Sequence, residues 1–426
     1  MVAKLTGVEK RVVGEVYSSS EGMDNLMVLC DEFGGRLAGT SENRAAAEFI
    51  KAKFEEYGFE NPHLETFKFP GCEVISSELE IVDPIKKAIP CLTLPMTASG
   101  EAEAEVIYLN EGLDFEDLKD DIEGKIAMAS TRQYLESSFK AGALGFIWTH
   151  PYPALGPPTG CVPTLTPTVS VRYEDGSLLN RLINRHGRAR VRMATGCRHF
   201  ERESWNVCGE IPGNGGSEEF VLFGGHYDGH EIAQAAFDCG AGCMAVTEMG
   251  RILNRVRDHL DGSMRIVCFS AEEFGCWGSK DYARRHADEM EEMRFTYQLD
   301  CCAGGGTQMV TLSLWPELEP FFHNLAEDLV MNVPIEQRLG PGDSRAFFEL
   351  GIPTGSIIDH RRPGRLELLR TYRHTEYDTF DKIQSRSMRE VVAIGAVSGL
   401  RMVNAENWPE HRTLEEIARA KRTLKF

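Results

Sequence analysis

No stretch of about 18 apolar residues occurs in this chain, so no segment reads as a membrane-spanning helix. The first residues, Met1 to Arg11, are broken by charge every few positions and lack the apolar core of an export signal. The expectation is therefore a cytoplasmic protein. Cys-x-x-Cys spacing is absent despite 12 cysteines, which excludes the usual zinc-ribbon arrangement. The thiols, including the adjacent Cys301 and Cys302, are expected to be buried and reduced. Positive charge is scarce: 46 Lys and Arg stand against 65 Asp and Glu, a net charge of −19. Such a field repels polyanions, so neither nucleic acid nor an anionic membrane is an expected partner. It is compatible with metal cations. Internal repeats and low-complexity tracts are also lacking.

What is present is an ordinary globular composition, 42% hydrophobic and 26% charged, enough for a full core. At 426 residues the chain is long enough for more than one domain. Residues 21–70 read as helix, loop, helix, strand. Ser41 is placed to cap a helix running to Glu56, with Ala46, Phe49, Ile50 and Phe54 on its apolar face. The preceding Gly34–Ser41 loop is glycine-rich but lacks the lysine of a phosphate-binding loop. Residues 72–203 carry short alternating strands, such as Val74–Val82 and Ala104–Leu109, and a proline-rich stretch from Pro151 to Pro167. They read as an inserted β-rich domain between the two parts, 1–71 and 204–426, of a larger one.

From 204 to 360 strands alternate with helices. Strand patterns run through Phe220–Phe223, Arg265–Phe269, Phe295–Leu299 and Thr354–Ile358. Helical patterns run through Met244–Val256, Ser279–Met290 and Glu317–Leu329, with a final helix over Ser387–Asn404 and a charged amphipathic tail over Glu410–Phe426. This alternation predicts an α/β sheet covered on both faces.

In such sheets functional side chains gather at the carboxyl ends of strands. Those ends carry His226 and Asp228, then Asp238 ten residues on, then Glu272 and Glu273, then Asp300; His374 and Asp378 follow near the end. Each is unremarkable alone, since strand-end acids are usually caps and Glu-Glu pairs usually solvated. Together, imidazoles and carboxylates in this order can hold two divalent cations if one carboxylate bridges. A further carboxylate is then free to move a proton.

On these motifs the chain resembles the co-catalytic zinc aminopeptidase and carboxypeptidase family. Gly35–Thr40 resembles that family's opening segment. Gly124–Ala127 and Lys140–Gly145 resemble its inserted protease-associated domain. The resemblance implies a three-layer α/β/α zinc-exopeptidase fold with a mixed central sheet. It implies a small peptide as substrate and two Zn²⁺ per chain, with Co²⁺ or Mn²⁺ fitting the same ligands. A homo-oligomer is compatible with it. By position, the resemblance makes His226 and Asp300 ligands of one metal, Glu273 and His374 ligands of the other, and Asp238 the bridge. Asp228 would orient His226, Glu272 would be the general base, and Asp378 would support the region of His374.

Two departures stand out. The family's residues after the bridging Asp are replaced by Cys239 and Ala241, neither taken as a ligand, and the resemblance implies a cis peptide between Asp238 and Cys239. Arg345 stands where relatives carry a smaller or neutral group, and Arg361, Arg362, Arg365, Arg370 and Arg373 crowd the run before His374. A solvated basic loop is the bland account of them. The functional one is a grip on a substrate carboxylate, with Arg345 as the candidate. His230 is read as a pocket residue rather than a ligand. The family ranks aminopeptidase slightly ahead; the alternatives are a carboxypeptidase or dipeptidase using such an Arg, another metal-dependent amidohydrolase, or a non-catalytic binding relative.

Overall fold

The computed structural model describes residues 5–109, 115–360 and 372–423. The chain divides into two compact units: Met1–Phe69 with Glu203–Arg373 and Asp378–Phe426, and Pro70–Arg202 with His374–Tyr377.

The first unit is built on a mixed sheet. Phe220–His226 lies centrally, parallel to Ser263–Phe269 on one side and to Met293–Leu299 on the other. Every residue of Phe220–His226 is buried, as expected of a strand covered on both faces. Met293–Leu299 pairs in parallel with Thr354–Asp359, which pairs antiparallel with Gln308–Leu312. Ile335–Gln337 adds a parallel edge, and residues 207–211 of Arg190–Ile211 run antiparallel to Ser263–Phe269.

Helices Ala241–Asn254 and Ser385–Val403 bury long apolar faces in the main core with Val221, Phe223 and Tyr297. Gly399 is needed there: a Cβ on it would lie 2.4 Å from the Phe223 ring. A second core, around Phe269, Tyr282 and Phe347, joins helix Trp277–Arg285 to the sheet. This is the mixed sheet with helices expected from the sequence. Element boundaries differ in places. Thr40, not Ser41, caps Ser41–Glu56, its hydroxyl accepting the Asn43 N–H. The helix expected over Ser279–Met290 ends at Arg285 and continues as a 3₁₀ turn over Ala287–Glu292. The amphipathic tail forms Leu414–Thr423.

In the second unit Gly100–Leu109, Ile126–Ala129, Gly145–Thr149 and Thr168–Val171 pair in parallel, one after the next. Parallel neighbours require crossover connections, so helices join the strands of this unit. Helix Tyr173–His186, closed by Gly187 at φ 76°, packs Leu179 against Val106, Ile147 and Val169. All twelve cysteines of the chain are free thiols, and nine of them are buried.

Candidate active site

Parallel pairing sets three strand ends level. His226 is in register with Phe269, and Gly225 with Leu299. The chain leaves these ends carrying His226, then Ser270 to Glu273, then Asp300. Ala271 and Cys301, at φ 57° and 55°, make the turns that a left-handed residue permits. Asp238 arrives from the loop just before helix Ala241–Asn254, and its bond to Cys239 is cis, as the resemblance implied.

His226 Nε2 lies 3.2 Å from Asp238 Oδ1 and 3.9 Å from Asp300 Oδ1. The other oxygen of Asp238 is 2.6 Å from Arg373 Nε. Glu273 faces His230, with Oε2 2.9 Å from Nε2 and both side chains 5% exposed. His230 is thus a buried partner of Glu273, and the sequence offered only its proximity to His226 as a signal. Cys239 also belongs to the cluster: a ligand atom from each of His226, Cys239 and Asp300 falls within 4.8 Å of the others. Its thiol donates to Leu299 O at 3.0 Å. A sequence reading that treats Cys239 as a silent replacement misses this.

Asp228, fully buried, does more than orient one ring. His226 Nδ1 lies 3.0 Å from the Asp228 carbonyl and 3.5 Å from its carboxylate. The two carboxylate oxygens accept the backbone N–H of Glu272 at 3.2 Å and of Glu273 at 3.4 Å. One acid therefore ties two strand ends together. Asp378 holds the third piece, accepting the N–H of Phe237 and of Asp238. Its hydrogen bonds thus go to the loop of Asp238, a target the sequence reading did not name. Arg36, only 1% exposed, donates to the carbonyls of Tyr227 at 2.7 Å, Gln234 at 2.8 Å and Ala235 at 3.0 Å, and also to Leu29 and Gly34. In the sequence it stood out only as part of the glycine-rich segment that resembles the family's opening, with no role of its own.

Charge is concentrated here. Burial pushes the Glu272 carboxyl well above its usual range, and Glu273, Asp343 and Asp300 add to the effect against His226. Burial alone would lower the His226 imidazole, but Cys239, Asp228, Asp238 and Asp300 hold it well above its ordinary value. Burial also raises Asp343 to about 6.

A cavity of about 180 Å³ opens onto this cluster. His226, Glu272 and Asp300 form one wall, and Thr311, Ser313 and Arg338 are also among its lining residues. Gly342, at φ 105°, brings its backbone close: a Cβ there would sit 3.3 Å from Glu272 Oε1. Arg345, the expected grip, is exposed, bonds Gly340 O at 3.4 Å, and is not among the residues lining this cavity. It follows Ser344 on a short helix, Ser344–Phe348, and helical geometry turns it away from the residue before it. Arg361, Arg362, Arg365 and Arg370 lie outside the described residues. His374 belongs to the second unit, where its Nδ1 is 3.0 Å from Thr159 O and its carbonyl accepts the Thr159 N–H at 2.8 Å.

These donors fit divalent metal. The buried His226 Nε2 and Asp300 Oδ1 form no hydrogen bond. With Nδ1 directed at the Asp228 carbonyl, the ring is set to present Nε2 as an acceptor, the arrangement a metal-binding imidazole needs. Nitrogen and carboxylate oxygen together suit Zn²⁺.

Comparison with known proteins agrees with this geometry. Residues 206–397 match the model of peptidase family M28. The chain is similar to carboxypeptidase Q of Bos taurus, 24% identical over 93% of this chain and 89% of that one. Its fold is similar to a peptidase M28 precursor from Shewanella amazonensis, with a TM-score of 0.83, 24% identity, and coverage of 96% and 98% of the two chains. It is also similar in fold to a zinc aminopeptidase from Bacillus subtilis, with a TM-score of 0.73, 20% identity, and coverage of 93% and 98%. The matched segment contains the whole strand-end cluster from His226 to Asp300, and over it the chain is similar to peptidase family M28.

Proposed function

We propose that the chain removes a terminal residue from small peptides, with zinc held by His226, Asp238 and Asp300 and a second ion held by Glu273. The observation that carries this is the convergence of Asp238 Oδ1 and Asp300 Oδ1 within 3.9 Å of His226 Nε2, with His226 and Asp300 lining one cavity with Glu272. The assignment of His374 as a ligand, and of the second unit as a protease-associated domain, is taken from the resemblance. Cobalt or manganese would suit the same donors.

Bound in such a site, zinc supplies Lewis acidity toward a carbonyl and makes water more acidic. The rest is done by the protein. Asp228 fixes the His226 ring and, through two backbone N–H groups, the placement of Glu272 and Glu273. Glu272, a half-buried carboxylate lining the cavity, accepts the proton of the attacking water and returns it to the leaving nitrogen. The Gly342 backbone closes over Glu272.

The test is Glu272→Gln. Metal content measured by elemental analysis should equal that of the unaltered protein, while peptide turnover falls by about 10²–10⁴-fold. Normal turnover in that variant rules out the role given to Glu272. A metal count of one per chain rules out the paired site.

A further inference from the structure

Two arginines line the catalytic cavity among the described residues, and they are not equivalent. Arg373 is committed: its Nε is 2.6 Å from Asp238. Arg338 is not. Its backbone N–H is anchored to Leu312 O at 2.7 Å, which fixes where the side chain starts. Its guanidinium makes no hydrogen bond or ion pair among the described residues. It is half-buried, just beyond the edge strand Ile335–Gln337.

A half-buried guanidinium with no partner among the described residues, facing this cavity, is available to an anionic group of a substrate. Thr311 and Ser313, which line the same cavity, add hydroxyl donors. A planar fork plus hydroxyls is a donor set for a carboxylate, which it can take bidentately. The same cavity, of about 180 Å³, contains Glu272. A carboxylate held at Arg338 therefore lies in the same cavity as Glu272. Resting on the peptidase reading above, we infer that Arg338 binds the free C-terminal carboxylate of the substrate, so that the residue removed is the C-terminal one of a short peptide. Arg338, rather than Arg345, is then the specificity-determining arginine.

The competing occupant of the cavity is a free amine, for which Asp343 is the available acceptor: it lines the same space and its buried Oδ1 forms no hydrogen bond. The experiment separates these. Zinc-loaded protein is given four versions of one dipeptide: both ends free, the C-terminus amidated, the N-terminus acetylated, and both blocked. The expected result is a preference of roughly 10- to 100-fold in kcat/KM for the free carboxylate over the amide, the size of a hydrogen-bonded charge. That preference should collapse in Arg338→Ala, chiefly through KM, and be partly restored in Arg338→Lys. A preference that follows the free amine and ignores the carboxylate overturns the inference, as does an acid-to-amide ratio unchanged in Arg338→Ala.

Binding is measured separately, by calorimetry with free leucine and leucine amide on zinc-loaded and metal-free protein. Binding of leucine but not its amide, weakened at least tenfold by Arg338→Ala, supports the site even if no peptide is cleaved; in that case the peptidase reading fails and this one stands. Equal binding of leucine and its amide sinks the carboxylate site whatever the turnover.

Discussion

Asp378 receives the backbone N–H of Asp238 at 3.0 Å, and its other oxygen takes the neighbouring N–H of Phe237 at 2.7 Å. A residue 140 positions away in the chain thus sets the conformation of the loop that presents the central carboxylate of the site. The loop is held from the opposite side of the chain order by Arg36, through the carbonyls of Gln234 and Ala235. Acceptor and donor together leave the loop little freedom, and the position of Asp238 follows from them.

Replacing Asp378 with Ala leaves two buried N–H groups without an acceptor. Each such loss costs about 1–3 kcal/mol. Urea denaturation should show a midpoint lowered accordingly, and zinc titration should show affinity reduced by about 10- to 100-fold, as for other groups that orient ligands. Wild-type zinc affinity in Asp378→Ala would show that the loop is held by other means.

Arg36→Lys should be nearly as damaging as Arg36→Ala. One ammonium has three donors and cannot reach carbonyls on three separate segments as the planar fork does. A loss of about 3–5 kcal/mol is expected for breaking a buried charged network, read from chemical denaturation of both variants. Near wild-type stability in the Lys variant would contradict the role of the fork.

Gly342→Ala separates folding from catalysis. A side chain at φ 105° is strained, and its Cβ would sit 3.3 Å from Glu272 Oε1. The stability loss should exceed about 1 kcal/mol. Peptide turnover should fall by much more than thermal stability explains, because Glu272 must shift to make room. Turnover that tracks the folded fraction would place Gly342 outside the catalytic geometry.

Away from the site, Glu65 makes stability depend on pH. Burial alone would raise its carboxyl, but hydrogen bonds with His286 at 2.7 Å and His63 at 3.4 Å, with Arg285 nearby, hold it down to about 2. The folded value lies below the ordinary 4.5, so this stability is fully present above 4.5 and drains away as pH falls toward 2. The two imidazoles are raised by the same contacts, so their share is present below the ordinary 6.5 and is lost as pH rises through their folded values. Thermal melts of Glu65→Gln across pH 2–8 should therefore show a flatter profile than wild type on both the acid and the neutral side. Parallel profiles would mean the cluster contributes nothing.

Much of the fold and part of the site were legible in the sequence. Strands such as Phe220–His226 read directly as apolar runs, because a strand covered on both faces has no polar side. Strand ends then named His226, Glu272, Glu273 and Asp300, since parallel pairing brings such ends level. Glycines and caps placed helix boundaries to within a few residues, with Thr40 in place of Ser41 as the visible slip.

What the tertiary structure alone decided is partnership. That Asp228 ties Glu272 and Glu273, that Asp378 holds Asp238, that His230 faces Glu273, and that Arg338 rather than Arg345 lines the cavity are all relations between side chains far apart in the chain. Hydrophobic period and strand order are local, repeated signals, so they survive in one dimension. A hydrogen bond depends on a few tenths of an ångström and on direction, and no spacing along the chain encodes either until the core has packed and fixed where each backbone segment lies.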